Sequence, residues 1–287
     1  MEAYSHQIKE SARWVAQVAD VSEERARWAV GAVISRSFAA EEVRAMVPLA
    51  DIFNHKPQLP ADVVEGEGDM SPAWRLSEDG SHFEVRAMED ANVDEEVLIS
   101  YGEETSAEIL AVHGMVLAEN EADYLEIFES PDDLLVAVET LLDCPGRRKQ
   151  RQFEFETMDA DYVPLALRPG GPRACEHLLG CVEAALCKDD EFRDFRQWSE
   201  NDGYGILRIA GLPEVRQREL RREALDFISQ IVQGFLQQWD EALEPASLPP
   251  DGSGSQRPSP AVLAAKYRQH VRAMLAEFLE LADNETG

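Results

Sequence analysis

Two short segments of the sequence contain residues whose types and order could do chemistry. Residues 47 to 55 are apolar until the segment ends abruptly in Asn54 and His55, and residues 99 to 102 look like a strand that ends in Tyr101 and a glycine. Neither segment places a nucleophile beside a general base, which argues against a hydrolase. The asparagine side chain offers two donors and an acceptor, which match an ammonium or a carboxylate. These residues therefore favour a site for a charged, amino-acid-like ligand.

Other well-known catalytic motifs are absent from the sequence. It contains no Gly-x-x-x-x-Gly-Lys-Ser phosphate loop, no His-Glu-x-x-His zinc motif and no Gly-x-Ser-x-Gly nucleophile turn. The six histidines are scattered without the spacing of metal ligands. We therefore expect no metal site.

The segment Pro-Leu-Ala-Asp-x-x-Asn-His at 48 to 55, followed by Ser-Tyr-Gly at 100 to 102, resembles SET-domain protein-lysine methyltransferases of the Rubisco large-subunit methyltransferase-like branch. The resemblance implies an α+β SET fold and S-adenosyl-L-methionine as cofactor. It implies that Asn54 contacts the methionine end of the cofactor and that His55 contacts its adenine through the backbone. Tyr101 would be the catalytic residue beside the reactive methyl group.

The resemblance assigns three further residues. Related enzymes carry Tyr-Gly-Phe-Val where this chain has His-Gly-Met-Val at 113 to 116, so Met115 would cover the adenine as a thioether instead of a ring. Arg36, in a Ser-Arg-x-Phe segment, and Asp51 would form the pocket for the target lysine. An Arg–Asp pair could equally serve only to hold two loops together, and both roles remain open.

One part of the family pattern is missing from this sequence. SET domains begin with a strand pair around a Gly-x-Gly-like turn, where the backbone approaches the cofactor closely. Nothing upstream of Val47 has this pattern, and residues 1 to 35 resemble only the helical insert of the branch. We expect the chain to contain the insert and the C-terminal half of a SET domain, with about half of the cofactor pocket.

The elements that position these residues are indicated by hydrophobic periodicity and turn residues. Apolar residues recur at three and four positions through 6 to 35, which predicts helices, and Ser22 is a suitable N-cap for the second of them. The Asp-Gly step at 79 and 80 predicts a β-hairpin. Residues 96 to 101 form the next predicted strand, and residues 106 to 113 a short helix.

From about residue 132 the strand signals become rare and amphipathic helices dominate. These helices are predicted at 134–142, 173–187, 216–243 and 261–282. We therefore predict a first domain at 1–127, which holds the insert and the half SET domain. An all-helical domain follows at 128–287, with a flexible Pro-, Gly- and Ser-rich connector at 244–260. The resemblance implies that this second domain binds the substrate.

The net charge of −29 limits the class of partner. Such a surface repels nucleic acid and attracts basic proteins, so a histone, a ribosomal protein or another lysine-rich protein is the expected partner. The alternative is that the charge serves solubility alone. The sequence has no apolar run long enough for a membrane span, and we expect a monomer in the nucleus or cytoplasm.

The cysteines and one basic cluster have less specific interpretations. The four cysteines lack the spacing of zinc ligands and are expected to be reduced, buried thiols: Cys144, Cys175, Cys181 and Cys187. The basic cluster at 147 to 151 is either a solvated turn or a nuclear-import signal.

Two functions follow from these observations. The first is an S-adenosylmethionine-dependent protein-lysine N-methyltransferase that acts on a basic protein. The alternative is a non-catalytic acidic binding module, or a truncated SET paralogue, that binds basic proteins.

Overall fold

The structure of the 287-residue chain is a computed structural model. It describes residues 2–40, 43–56, 74–77, 79–85, 90–143, 164–188, 191, 198–199, 206–207, 212–242 and 259–286. Four features predicted from the sequence lie outside these residues: most of the loop after His55, Cys144, the basic cluster at 147–151, and residues 244–258 of the connector.

The chain divides into two compact units. The first contains Met1–Asp123 and Gly254–Tyr267, and the second contains Tyr124–Ser253 and Arg268–Gly287. The predicted domain boundary between residues 127 and 128 stays a prediction, because compactness does not test which segment folds independently.

The first unit begins with two helices, as the periodicity predicts. Helix α1 spans Glu2–Ala19 and α2 spans Glu23–Arg36. The Ser22 hydroxyl accepts a hydrogen bond from the Arg25 backbone N–H at 3.3 Å, so the predicted N-cap is confirmed.

A β-hairpin that the sequence patterns do not predict follows α2 without a break. Its strands are β1, Ser37–Ala40, and β2, Val43–Met46, which pair antiparallel with Phe38 opposite Ala45. Alanines are poor strand formers, so four-residue strands that contain them give a weak β signal. The hairpin carries the chain from the end of α2 to the 3-10 turn Ala50–Ile52.

The remaining strands of this unit are short. Strand β3, Asn54–His55, pairs in parallel with β6, Leu98–Ile99. Strand β6 is shorter than the strand predicted at 96 to 101. Strands β4, Trp74–Leu76, and β5, Phe83–Val85, form the predicted antiparallel hairpin. Gly80 lies in its turn with φ of +65°, a left-handed conformation that glycine adopts without strain.

Aromatic side chains fill the space between these strands. Trp74 and Ile99 are buried at the centre. The partly buried side chains packed against them are Phe38, Phe53, Leu76, Phe83 and Tyr101. The rings of Phe38 and Trp74 meet edge to face, with centroids 5.2 Å apart. This cluster is the hydrophobic support of the cavity described below.

Helix α3, Ser106–His113, has the predicted bounds because both of its ends carry strong signals. Thr105 and Glu108 form a reciprocal capping box at its start. Gly114, with φ of +69°, ends it in a left-handed conformation.

The second unit contains four helices and four short strands among the described residues. The strands are β7 (Leu125–Phe128), β8 (Leu165–Leu167), β9 (Trp198–Ser199) and β10 (Ile206–Leu207). The helices are α4 (Pro131–Leu142), α5 (Glu176–Leu186), α6 (Glu214–Ala242) and α7 (Pro260–Thr286), of which α7 begins within the first unit. No described helix is both long and apolar enough to cross a membrane.

The prediction of an all-helical second domain needs correction. Strands β7 and β8 pair antiparallel, and so do β9 and β10. Strand β8 is a fully buried run of three apolar residues. A run of this length has no periodicity that could distinguish a strand from a helix in the sequence. Pairing with a distant partner decided its conformation.

Three cysteines of this unit are buried thiols, which confirms the predicted burial for these three: Cys175, Cys181 and Cys187. Burial raises the pKa of Cys175 to about 11 and that of Cys181 to about 12, because it penalises the thiolate. Cys175 and Cys181 are therefore poor nucleophiles in the folded protein.

Candidate functional site

A cavity of about 270 Å³ lies in the first unit, between the end of α2, the β1–β2 hairpin, the 3-10 turn, the segment before α3 and the end of α3. Its aromatic walls are Phe38, Phe53, Trp74 and Tyr101. Its ionisable residues are Arg36, Arg44, Asp51, Tyr101, Glu104 and His113. The cavity therefore combines a ring-lined apolar interior with charged groups, which is the usual character of a small ligand site.

Two buried polar atoms in this cavity lack hydrogen-bond partners. Among the described side chains, Ser37 Oγ and Glu104 Oε2 are the buried oxygen or nitrogen atoms without one, and both residues line the cavity. Buried polar atoms are nearly always hydrogen-bonded, so an exception calls for an explanation such as a ligand. Both oxygens are therefore available as acceptors for a ligand that brings hydrogen-bond donors.

Tyr101 lies at the junction between this cavity and the β3–β6 pair. Its hydroxyl donates a hydrogen bond to the Phe53 carbonyl at 2.8 Å, and its backbone N–H donates to Nδ1 of His55 at 3.1 Å. Burial raises the pKa of Tyr101, Arg36 opposes this, and Glu104 adds to it. The residue is therefore a neutral phenol at physiological pH, fixed by two hydrogen bonds.

His55 does not line the cavity but contacts Tyr101, which does. Burial is the main cause that lowers the pKa of His55, Glu104 partly opposes the shift, and His113 adds to it. Because Nδ1 accepts the Tyr101 N–H, the neutral ring carries its proton on Nε2. The imidazole therefore has a structural role. The next residue, Lys56, donates its N–H to the Ile99 carbonyl at 2.9 Å and extends the parallel pairing.

The other two residues predicted to bind the cofactor also lie outside the cavity lining. Asn54 is exposed, and its side-chain amide donates to the Glu96 carboxylate. Met115 is half-buried directly after the glycine that ends α3. The three predicted cofactor residues are therefore not gathered around this cavity.

The two residues predicted to bind the substrate do lie in the cavity. Arg36 donates from a guanidinium nitrogen to the Asp51 carbonyl at 2.9 Å, and the same nitrogen lies 3.5 Å from Asp51 Oδ2. The Arg36 side chain is 46% exposed, so the ion pair contributes little to stability. The contact ties the end of α2 to the 3-10 turn, and both residues face the same space as Tyr101.

Sequence reasoning missed Glu104 and His113 as site residues. His113 Nε2 lies 3.3 Å from Glu104 Oε2, and the His113 ring centroid is 4.6 Å from that of Tyr101. One signal was available: the sequence departs from the family pattern at position 113, where tyrosine is usual. Among the described residues, no group of histidine, cysteine and acidic side chains is placed to hold a metal ion.

The comparisons with known proteins bear on the fold. No family model matches the sequence, and no curated protein matches it. A solved structure does match: the crystal structure of the SET domain of LSMT bound to lysine and AdoHcy, with a TM-score of 0.52 and 16% identity. The match covers 99% of this chain and 63% of that chain. The fold is SET-like.

At 16% identity this likeness concerns the fold alone. The chain spans 63% of the length of the SET-domain chain that it matches. Within the SET-like fold, the cavity groups the two residues that the sequence assigned to substrate with the tyrosine assigned to catalysis. The residues assigned to the cofactor lie at and beyond the β3 strand.

Proposed function

We propose that the chain is the SET-like part of an S-adenosylmethionine-dependent protein-lysine methyltransferase. The observation that carries this proposal is the ring-lined cavity in which Arg36, Asp51 and Tyr101 converge beside two buried oxygens that accept no hydrogen bond from the described residues. The fold likeness supports it, since the matched SET domain was crystallised with lysine and AdoHcy.

The cavity has the size and chemistry to receive one lysine side chain. Its volume of about 270 Å³ is below the ~300–1,000 Å³ of pockets that enclose a drug-sized ligand, so it suits a side chain better than a nucleoside. The aromatic walls can pack against the aliphatic stem. The ammonium carries three N–H donors, and Ser37 Oγ and Glu104 Oε2 are two acceptors that receive no hydrogen bond from the described part of the chain.

The residues beside β3 fit the amino-acid end of S-adenosylmethionine. The Glu96 carboxylate and the Asn54 amide, already in contact, together offer acceptors for an ammonium and a donor for a carboxylate. The His55 backbone and the Met115 thioether are the groups proposed for the adenine. When bound, this cofactor supplies an electrophilic methyl group on a sulfonium.

Tyr101 would then orient the reacting groups without exchanging a proton. Its hydroxyl proton is engaged by the Phe53 carbonyl, which leaves the oxygen lone pairs as acceptors. A fixed oxygen of this kind can accept weak C–H contacts from a methyl group or a hydrogen bond from an amine. Positioning of this kind is a large source of rate acceleration.

The proposed substrate is a basic protein. The net charge of −29 would steer lysine-rich chains towards the surface, and the encounter rate should fall as salt screens the charges. The same charge would serve a non-catalytic binding module, so binding of a basic protein does not distinguish the two functions.

Cofactor binding and methyl transfer provide the test. S-adenosylmethionine is titrated calorimetrically into the 287-residue chain, into Asn54→Ala and into Tyr101→Phe. Transfer of a labelled methyl group to a mixture of histones and ribosomal proteins is then measured. The proposal expects binding that Asn54→Ala weakens at least tenfold and that Tyr101→Phe retains, with slower transfer by Tyr101→Phe. A folded chain that binds basic proteins but no S-adenosylmethionine would instead be the acidic binding module.

A further inference from the structure

Glu104 and His113 form a carboxylate–imidazole pair on the wall of the cavity. Glu104 precedes the capping residue of α3, and His113 is the last residue of that helix. Their side chains are 34% and 12% exposed, respectively, and His113 Nε2 lies 3.3 Å from Glu104 Oε2. The two side chains meet next to the Tyr101 ring, although their backbones lie at opposite ends of the short helix.

The backbone around this pair is held firmly. The Glu104 carbonyl accepts a hydrogen bond from the Asn120 amide at 2.8 Å. The buried Asp123 accepts hydrogen bonds from both the backbone N–H and the hydroxyl of Ser106, the first residue of α3. Such support is what a catalytic group needs, because it limits motion away from the productive geometry.

The contact between the two side chains is close but incomplete. The 3.3 Å separation is within ion-pair range, yet Glu104 Oε2 has no hydrogen bond from any described residue. The Arg36 guanidinium, which also lines the cavity, forms its ion pair with Asp51 and not with Glu104. A proton taken up by the imidazole would turn this contact into an ion pair.

Tyr101 is a poor candidate for the proton acceptor in this cavity. Its hydroxyl donates to the Phe53 carbonyl, and burial raises its pKa, so a free phenolate is disfavoured. A lysine side chain is almost fully protonated at pH 7, with about one amine in a few thousand free, as follows from a pKa near ~10.4. A reaction at the lysine nitrogen therefore needs another group to take the proton.

We propose that Glu104 and His113 together accept the proton of the target ammonium, an assignment that rests on the function proposed above. The proton moves from the lysine nitrogen to the imidazole, and the resulting imidazolium pairs with the carboxylate. The ammonium becomes a neutral amine and the neutral imidazole becomes a cation, so charge is conserved. The lone pair freed on the amine would then be available for the methyl group that bound S-adenosylmethionine supplies, with the bonding electrons of that group left on sulfur.

The pH dependence of this step involves the charged groups that share the cavity or lie behind it. These groups are Arg36, Arg44, Asp51, Tyr101 and His55. Their contributions are common to all the variants below, so differences between variants report on Glu104 and His113.

Glu104→Gln and His113→Gln test the assignment in the 287-residue chain, with the exposed neighbour Glu103→Gln as matched control. Methyl transfer is measured from pH 6 to 10 on a lysine peptide and on the same peptide with S-(2-aminoethyl)cysteine, whose amine is more acidic. Calorimetric affinities for S-adenosylmethionine and for the peptide are measured in parallel. We expect transfer to lysine at pH 7 to fall about 10²–10⁴-fold in both site variants, as general-base catalysis predicts.

Two further results are expected of a proton acceptor. The loss should be smaller for the more acidic amine and should diminish at high pH, and the affinity for S-adenosylmethionine should change less than threefold. Equal losses on both peptides at every pH, or a wild-type pH profile in either variant, would overturn the assignment alone. A wild-type chain that binds no S-adenosylmethionine and transfers no methyl group would overturn the proposed function and this assignment with it.

Discussion

Removing the carboxylate of Asp123 should destabilise the first unit by several kcal/mol. Asp123 is 5% exposed, and one of its oxygens accepts the Ser106 hydroxyl at 2.7 Å while the other accepts the Ser106 backbone N–H. Ser106 is fully buried, so water cannot replace either bond without local opening. The prediction follows from the loss of both acceptors in Asp123→Ala.

The expected magnitude can be worked out from these contacts. Each buried donor left without an acceptor costs about 1–3 kcal/mol, which gives about 2–6 kcal/mol for two. A negative charge near the N-terminus of α3 contributes a further ~0.3–1 kcal/mol. The total is a large part of a typical stability of about 5–15 kcal/mol. Asp123→Asn keeps one carbonyl acceptor and should cost only about 1–2 kcal/mol.

Urea unfolding followed by circular dichroism at 222 nm measures these differences. Glu121→Ala is the control, because its side chain is exposed two residues away and its loss should change the stability by less than about 0.5 kcal/mol. The slope of free energy against urea should be unchanged if the native state stays compact. A loss below about 1 kcal/mol in Asp123→Ala would show that the two contacts with Ser106 do not hold α3 in place.

Two other predictions concern stability. Gly171 has φ of +72°, and a Cβ there would lie 2.5 Å from Leu281 Cδ1, so Gly171→Ala should cost about 2–5 kcal/mol from backbone strain and overpacking. Gly80 has φ of +65° and open space around it, so Gly80→Ala should cost only about 1–2 kcal/mol in the same urea titration. Equal losses of stability in the two variants would contradict the clash expected between residue 171 and Leu281. Burial lowers the pKa of His55 in the folded state. As the pH falls below about 6.5, the unfolded state therefore binds a proton on this histidine before the folded state does. The folded state loses stability until the pH has passed the folded-state pKa. His55→Asn, which can still accept the Tyr101 N–H but cannot titrate, should lose less stability between pH 7 and 5, and parallel curves for the two proteins would contradict this.

The helices of the first unit could be predicted from the sequence because their signals are local. Ser22 caps α2, and Thr105 and Gly114 bound α3, through contacts within a few residues along the chain. The hairpin around Gly80 is local in the same sense. The motif residues Asn54 and Tyr101 were recognisable because their segments resemble a known family.

Strand pairing was less predictable because it depends on distant partners. Strand β8 is buried against β7, about forty residues earlier, and its three apolar residues carry no period of their own. The β1–β2 hairpin, rich in alanine, also gave no clear pattern. The pairing of β1 with β2 is local, and it was missed because its strand propensity is weak. For β8, tertiary contacts, and not local propensity, selected the extended conformation.

The sequence by itself determined which residue types are available for chemistry: a strand-end tyrosine, an asparagine, an arginine and an aspartate in recognisable segments. Only the tertiary structure decided how they are grouped. It placed Arg36, Asp51 and Tyr101 around one cavity and left Asn54 outside its lining. It also brought the Glu104 carboxylate beside the His113 imidazole, across a helix whose first residue is held by Asp123. Side-chain convergence depends on packing between segments far apart in the chain, and that information is not contained in any local pattern.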